Sequence, residues 1–122
     1  MKIALTSVGN SLDSEIDQRF GRSAFFLIVN PETMVYQFIR NHNKDGHGGV
    51  GIQSAQMIIQ EGAEAVITGK CGPNAFETLK AANLEIYEGI AGTVRHAVED
   101  FKNKKLRKSQ SSQSNNKNFG RR

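Results

Sequence analysis

Residues 70–74, Lys-Cys-Gly-Pro-Asn, stand where a strand-like run, AVITG, gives way to a helix-like run, PNAFETLKAA. A helix start leaves its first-turn N–H groups without intrahelical partners, and together with the helix dipole they form an anion site. The plainer alternative is that Asn74 only caps the helix and Gly72 only makes the turn. Cys71 is the one cysteine of the chain. At a helix start and beside Lys70 its thiol is expected to have a lowered pKa and to offer a thiolate to soft metals, whereas its plain alternative is a small buried hydrophobe. A single thiolate cannot supply the four protein ligands an iron–sulfur cluster ordinarily takes. A cluster here would be shared between subunits or held largely by noncovalent contacts.

Two further stretches offer related chemistry. In DQRFGRS, Arg19 and Arg22 flank Phe20-Gly21. Two guanidinium groups at a strand end suit phosphate, carboxylate or an anionic sulfide cluster, with Phe20 packed under the loop as its anchor. The alternative pairs these arginines with Asp13, Glu15 or Asp17 on the surface. In DGHGGVGIQ, Gly48 and Gly49 belong to a flexible loop whose backbone N–H groups can meet an anion, and His47, with His42 five residues earlier, could ligate metal or simply be solvated. Gly46, Gly48 and Gly51 formally spell G-x-G-x-x-G. A dinucleotide site also needs a tight strand-to-helix turn and an acidic residue ending the next strand. Polar residues 41–45 break that turn, and the next strand ends in Thr68-Gly69-Lys70, so the dinucleotide reading is rejected. His96 lies away from these loops and reads as structural or surface.

The elements that must position these loops follow from apolar periodicity. MKIALTS is a first strand, and VGNSLDSEIDQRFGRS a loop with room for one helical turn. AFFLIVN and MVYQFIR form a hairpin about Pro31-Glu32-Thr33. Val50, Ile52, Ala55, Met57, Ile58 and Ile59 mark a helix closed by Gly62 as its C′ glycine. AEAVITG is the fourth strand, PNAFETLKAA the second helix with Pro73 in its first turn, LEIYEG the fifth strand and TVRHAVEDFKNKKL the third helix. The order is βββαβαβα. Strand–helix–strand steps in the later half favour parallel strands with right-handed crossovers, and the hairpin makes the sheet mixed. In such a sheet ligands collect where loops leave the carboxyl ends of strands. Convergence of the three loops there is the expectation.

The 122 residues suffice for one domain with its own core. The net charge of +4 hides a division: residues 1–101 hold eight Lys/Arg against twelve Asp/Glu, and residues 102–122 hold eight Lys/Arg and no acid. Residues 107–122, RKSQSSQSNNKNFGRR, are polar and are expected to form a disordered basic tail after a domain over residues 1–106. One cysteine excludes an internal disulfide, no apolar run approaches the roughly 18 residues of a membrane span, and the N-terminus reaches turn residues before building an apolar leader. A reduced, cytoplasmic location is expected, with no membrane partner. Among enzyme signatures, a Walker motif, a Ser-His-Asp pattern, CxxC and paired acids for two metals are all missing, so no catalytic residue is assigned.

The landmarks MKIALTS, RFGRSAFFLIV, GGVGIQSAQ and AVITGKCGPNAFETLKAANLEIYEGIAGTVRHAVEDF occur in that order. Over about residues 1–106 the chain resembles the dinitrogenase iron-molybdenum cofactor biosynthesis family, the small NifX-like domain also found at the C-terminus of NifB-type proteins. The resemblance implies a ribonuclease H-like α/β/α three-layer fold with a five-stranded mixed sheet, without nuclease activity. It also implies binding or carriage of a metal–sulfur cluster or its precursor, of iron–sulfur or molybdenum-containing type. Carried onto matching positions, the implied cluster-facing residues are Arg19, Arg22, Gly48, Gly49, Lys70, Gly72 and Asn74, with Cys71 and His47 as candidate metal ligands. Cluster donor or acceptor proteins, and a homo-oligomer around the cluster, would be the partners. The chain departs from the family in its longer basic tail, and without a radical-enzyme domain it would be expected to act as a stand-alone carrier.

Three functions thus compete. The first is noncatalytic carriage or storage of an anionic metal–sulfur cluster. A nucleic-acid or polyanion-binding module working through the tail is disfavoured by the acidic domain. A regulatory domain that binds a phosphate compound in the same loops ranks third, because nothing reads a base or sugar.

Overall fold

The computed structural model describes residues 1–110, so the greater part of the expected basic tail, from residue 111 onward, lies outside the described residues. The elements run β1 (Ile3–Ser7), β2 (Phe25–Val29), β3 (Tyr36–Arg40), α1 (Val50–Gln60), β4 (Ala65–Ile67), α2 (Pro73–Ala81), β5 (Glu85–Tyr87) and α3 (Val94–Lys102).

The strands form one mixed sheet in the order β3-β2-β1-β4-β5. β1 pairs antiparallel with β2 and parallel with β4, β2 antiparallel with β3, and β4 parallel with β5. Burial follows this order. Every residue of β1 is buried, as a central strand covered on both faces demands, whereas four of the five residues of β3 are exposed.

The pleat sends alternate side chains to opposite faces. Ala4, Phe26, Ile28, Val66 and Ile86 pack against Ala55 and Ile58 of α1 and Ala75, Phe76 and Leu79 of α2. Ile3, Leu5, Leu27, Val29, Ile67 and Tyr87 pack against Val94, Ala97 and Val98 of α3, with Leu12 and Ile16 completing that core. Helices therefore cover both faces. α1 ends as its sequence predicts: Gly62 takes φ +83°, its N–H donates to Ile59 O at 3.0 Å and Ala63 N–H to Ile58 O at 3.2 Å.

The long loop after β1 departs from expectation. No helical turn forms there; a turn at Ser11–Ser14 is followed by isolated bridges from Ile16 to Ser7, Glu15 to Thr93 and Arg19 to Lys70. The loop is stitched to the sheet and to the start of α3 instead of folding on itself. At the other end of the chain, Lys108 Nζ stands 3.7 Å from Glu85 Oε2, and Ser109 N–H donates to Ile86 O at 2.7 Å, so these residues run beside β5.

Candidate functional site

At the carboxyl ends of β1 and β4, the loop carrying the arginines and the turn carrying the lysine lie side by side. Phe20 N–H donates to Lys70 O at 3.0 Å and Lys70 N–H to Gln18 O at 2.8 Å, a short parallel bridge. Phe20 is the anchor the sequence suggests: its ring is 1% exposed and packs 5.4 Å from Phe26. Asp17, itself buried, shapes the loop by accepting Arg19 N–H and Ala24 N–H, each at 3.2 Å.

A cavity of about 390 Å³ opens above this bridge. Arg19, Arg22 and Lys70 line it, together with the first turns of α1 (Val50, Gly51) and α2 (Pro73, Asn74, Ala75) and with Gly72. Small residues let the parts meet. A Cβ on Gly21 would stand 3.0 Å from Gly51 Cα, and one on Gly51 would stand 3.2 Å from Ala75 Cβ. No side chain caps either helix. Gly49 is the N-cap of α1 with φ +71°, and Gly72 is the N-cap of α2 with Pro73 at its first position. Asn74 therefore lies inside α2 and is not its cap. Among the described residues, two helix starts and three cationic side chains face one cavity that no acidic side chain lines.

Arg22 has a second attachment. One of its terminal nitrogens donates to Lys44 O at 2.7 Å and to Gly46 O at 3.2 Å, so it holds down the glycine loop. Arg19 is more available: its side chain is 68% exposed, with Asp17 Oδ1 3.8 Å away.

Of the residues singled out from sequence, Arg19, Arg22, Lys70, Gly72 and Asn74 line the cavity. Gly49, the N-cap of α1, does not itself line it but directly precedes Val50, which does. Gly48, at φ +64°, and His47 are exposed in the preceding loop and do not line it. His96 lies on α3, 3.3 Å from Asp100. Cys71 reverses its expectation. The thiol is fully buried among Phe20, Phe76, Ala75 and their neighbours. Burial, with Glu88 beside it, pushes its pKa up to about 12, where the helix start and Lys70 were expected to lower it. Its backbone N–H donates to the buried Glu88 carboxylate at 2.8 Å. Among the described residues, no three His, Cys, Asp or Glu side chains converge to hold a metal ion.

Sequence reasoning missed the scaffold beneath the cavity. Asn41 is buried and its side-chain amide donates to Gly21 O at 3.1 Å and Ser23 O at 2.9 Å, while Ser54 Oγ donates to Gly21 O at 3.1 Å. Thr6 Oγ1 donates to Asp17 O at 2.7 Å and lies 2.9 Å from Thr68 Oγ1, tying β1 to β4 directly below the loops.

A small α/β domain with a mixed sheet and a cationic cavity at two parallel strand ends is thus defined. The chain belongs to the dinitrogenase iron-molybdenum cofactor family, which it matches over residues 1–104. It is similar to an uncharacterised protein of Methanocaldococcus jannaschii, 32% identical over 88% of this chain and 91% of the relative. Among solved structures it resembles the apo form of the orange protein of Desulfovibrio gigas, with a TM-score of 0.88, 34% identity and coverage of 91% of this chain and 94% of that one. A proposed NifB protein from Thermotoga is similar at a TM-score of 0.76, with 36% identity, 88% of this chain and 91% of the other. No helix of the described residues is long and apolar enough to cross a membrane.

Proposed function

We propose that this protein binds and carries, without transforming it, an anionic metal–sulfur cluster or a cluster precursor, held noncovalently in the cavity between the Arg19–Arg22 loop and the starts of α1 and α2. One observation carries the reading: among the described residues, three cations and two helix N-termini not capped by side chains converge on a cavity without an acidic lining residue. The family and the apo orange-protein relative support it. The ribonuclease H-like description of the fold belongs to the same reading, supported by the mixed five-stranded sheet with helices on both faces.

The buried thiol narrows the cargo. Cys71 packs in the core and stays protonated at neutral pH, so it offers no ligand to an iron–sulfur cluster assembled on thiolates. A preassembled, sulfide-coated anion such as a thiomolybdate needs no protein thiolate. Phe20, Val50, Pro73 and Ala75 give the cavity apolar walls between the cations. Such walls suit a soft, weakly hydrated sulfide surface, whereas the cations and helix starts by themselves would serve phosphate as well. Cluster donor or acceptor proteins would load and unload the cavity at its open side.

The test is anaerobic incubation of the full chain with tetrathiomolybdate, with iron plus sulfide, and with inorganic phosphate, followed by gel filtration, metal and acid-labile sulfide analysis and a visible spectrum. Molybdenum and sulfide co-eluting with the protein are expected from the first arm. A protein that retains no metal in either metal arm, yet melts at a higher temperature with phosphate, would transfer the cavity to the regulatory reading.

A further inference from the structure

The two edges of the sheet differ. Along β5, Ser109 N–H bonds to Ile86 O, so the chain's own residues lie against that edge. Outside β3, at the other end of the order β3-β2-β1-β4-β5, no further strand pairs among the described residues.

Hydrogen bonds at the two ends of the hairpin show which groups of β3 face outward. Asn30 N–H donates to Val35 O, and Asn41 N–H to Ala24 O. Those pairs stand opposite each other in the register Val29↔Tyr36 to Phe25↔Arg40. In an antiparallel ladder bonded and non-bonded pairs alternate, so residues 35, 37, 39 and 41 bond to β2. Tyr36, Phe38 and Arg40 therefore aim their N–H and C=O groups at the open edge. Their side chains share one face of the sheet, where Phe38 packs edge-on to Phe25 at 5.9 Å and the Arg40 guanidinium sits 5.2 Å over the same ring. That row is only part-covered: Tyr36 is 37% and Phe38 49% exposed. It holds no proline, no lysine and no bulge, and of the usual devices that blunt an edge only the charge of Arg40 at its end.

We infer that the β3 edge pairs with the β3 edge of a second copy of this chain, antiparallel about a twofold axis at Phe38, to make a continuous ten-stranded sheet across a homodimer. The pattern Tyr36-Gln37-Phe38-Ile39-Arg40 is complementary to itself under that axis. Phe38 meets Phe38 of the other copy, and Tyr36 of each copy meets Arg40 of the other, so an aromatic ring faces a cation and no like charges oppose each other. An isologous contact of this kind closes on two chains and uses up both β3 edges. Five residues per copy make a contact smaller than the roughly 800 Å² per partner of a standard interface, so the dimer is concentration-dependent. None of these residues lines the cavity, so the inference stands apart from the cargo reading.

Sedimentation velocity on the full chain, with no metal or sulfide added, from low micromolar to millimolar concentration, is expected to show a monomer–dimer equilibrium. Phe38→Lys and Phe38→Glu each place like charges against each other on the axis, and each alone is expected to remain monomeric at the highest concentration. Mixed in equal amounts they are expected to restore the dimer, because only residue 38 of one copy faces residue 38 of the other. Circular dichroism and thermal melting confirm that both variants fold. A wild-type chain that stays monomeric throughout overturns the proposal. So does a dimer indifferent to both charges, which would mean pairing elsewhere, or a mixture that fails to associate, which would remove the twofold register at Phe38.

Discussion

Arg19 and Lys70 are bridge partners, brought side by side by two backbone hydrogen bonds although 51 positions separate them in sequence. The bridge depends on a glycine. A Cβ on Gly69 would lie 2.7 Å from the Cα of Gln18 and collide with that residue's side-chain amide as well, and a backbone atom cannot step aside. Gly69→Ala is therefore expected to separate the two loops and to destabilise the fold by about 1–3 kcal/mol, the usual range for overpacking. Urea unfolding measures the loss, and thiomolybdate retention should fall with it. An unchanged midpoint and full retention would show that the bridge is dispensable.

The cationic side chains can be separated from the fold. Arg19 is largely exposed and Lys70 is exposed, so Arg19→Ala and Lys70→Ala should leave the melting temperature nearly unchanged. A hydrogen bond to a charged group contributes roughly 1.5–3 kcal/mol, so each change is expected to weaken thiomolybdate binding by about tenfold or more. Arg22→Ala should differ by also loosening the loop whose carbonyls at Lys44 and Gly46 it holds. Faster amide exchange at residues 44–48 would report that release. Equal affinity in Arg19→Ala and wild type would take that arginine out of the site.

What the sequence discloses and what it hides divide along physical lines. Periodicity and glycine placement are local, so the eight elements and the C′ role of Gly62 could be read from neighbouring residues. Charge at strand ends is also local, which is why Arg19, Arg22 and Lys70 could be picked out. Asn41 and Glu88 could not, because each is used through backbone groups that folding brings to it: Glu88 reaches Cys71 N–H across 17 positions and Asn41 reaches Gly21 O across 20. The thiol shows the same divide. Its local setting, a helix start beside Lys70, points to an ionised sulfur, but packing among Phe20 and Phe76 decides otherwise.

That burial makes a pH prediction. The folded-state pKa of Cys71 is raised from an ordinary 9.0 to about 12, chiefly by desolvation. A raised value means the group's contribution to stability is complete below the unfolded pKa and is lost as pH rises toward the folded one. Stability should fall between about pH 9 and 12, by up to about 1.4 kcal/mol per pH unit for this one group. Tyr87, raised from 10.0 to about 12 by burial and by its bond to Glu85, titrates in the same window. Comparing Cys71→Ala with wild type by urea unfolding across that range isolates the thiol, and the variant should show the shallower slope. At neutral pH a thiol reagent should leave the folded protein unlabelled and label it fully in denaturant. Rapid labelling of the native chain would contradict the burial.

Asn41 is the residue on which the cavity's floor rests. Its amide satisfies the carbonyls of Gly21 and Ser23, and its own side-chain oxygen accepts Asn43 N–H at 3.0 Å, so one buried side chain joins the arginine loop to the start of the glycine loop. Asn41→Ala leaves Ser23 O without this donor, while Gly21 O keeps Ser54 Oγ at 3.1 Å. A loss of about 2 kcal/mol is expected from the desolvated groups left behind. Asn41→Asp is the sharper variant, because its ionised carboxylate has no donor to offer and would face two carbonyl oxygens. It should be the less stable of the two at neutral pH and recover as the carboxyl is protonated on acidification. Urea midpoints of both variants at neutral and at acid pH check this: if Asn41→Asp is as stable as wild type at neutral pH, the amide is not what holds Gly21 in the wall of the cavity.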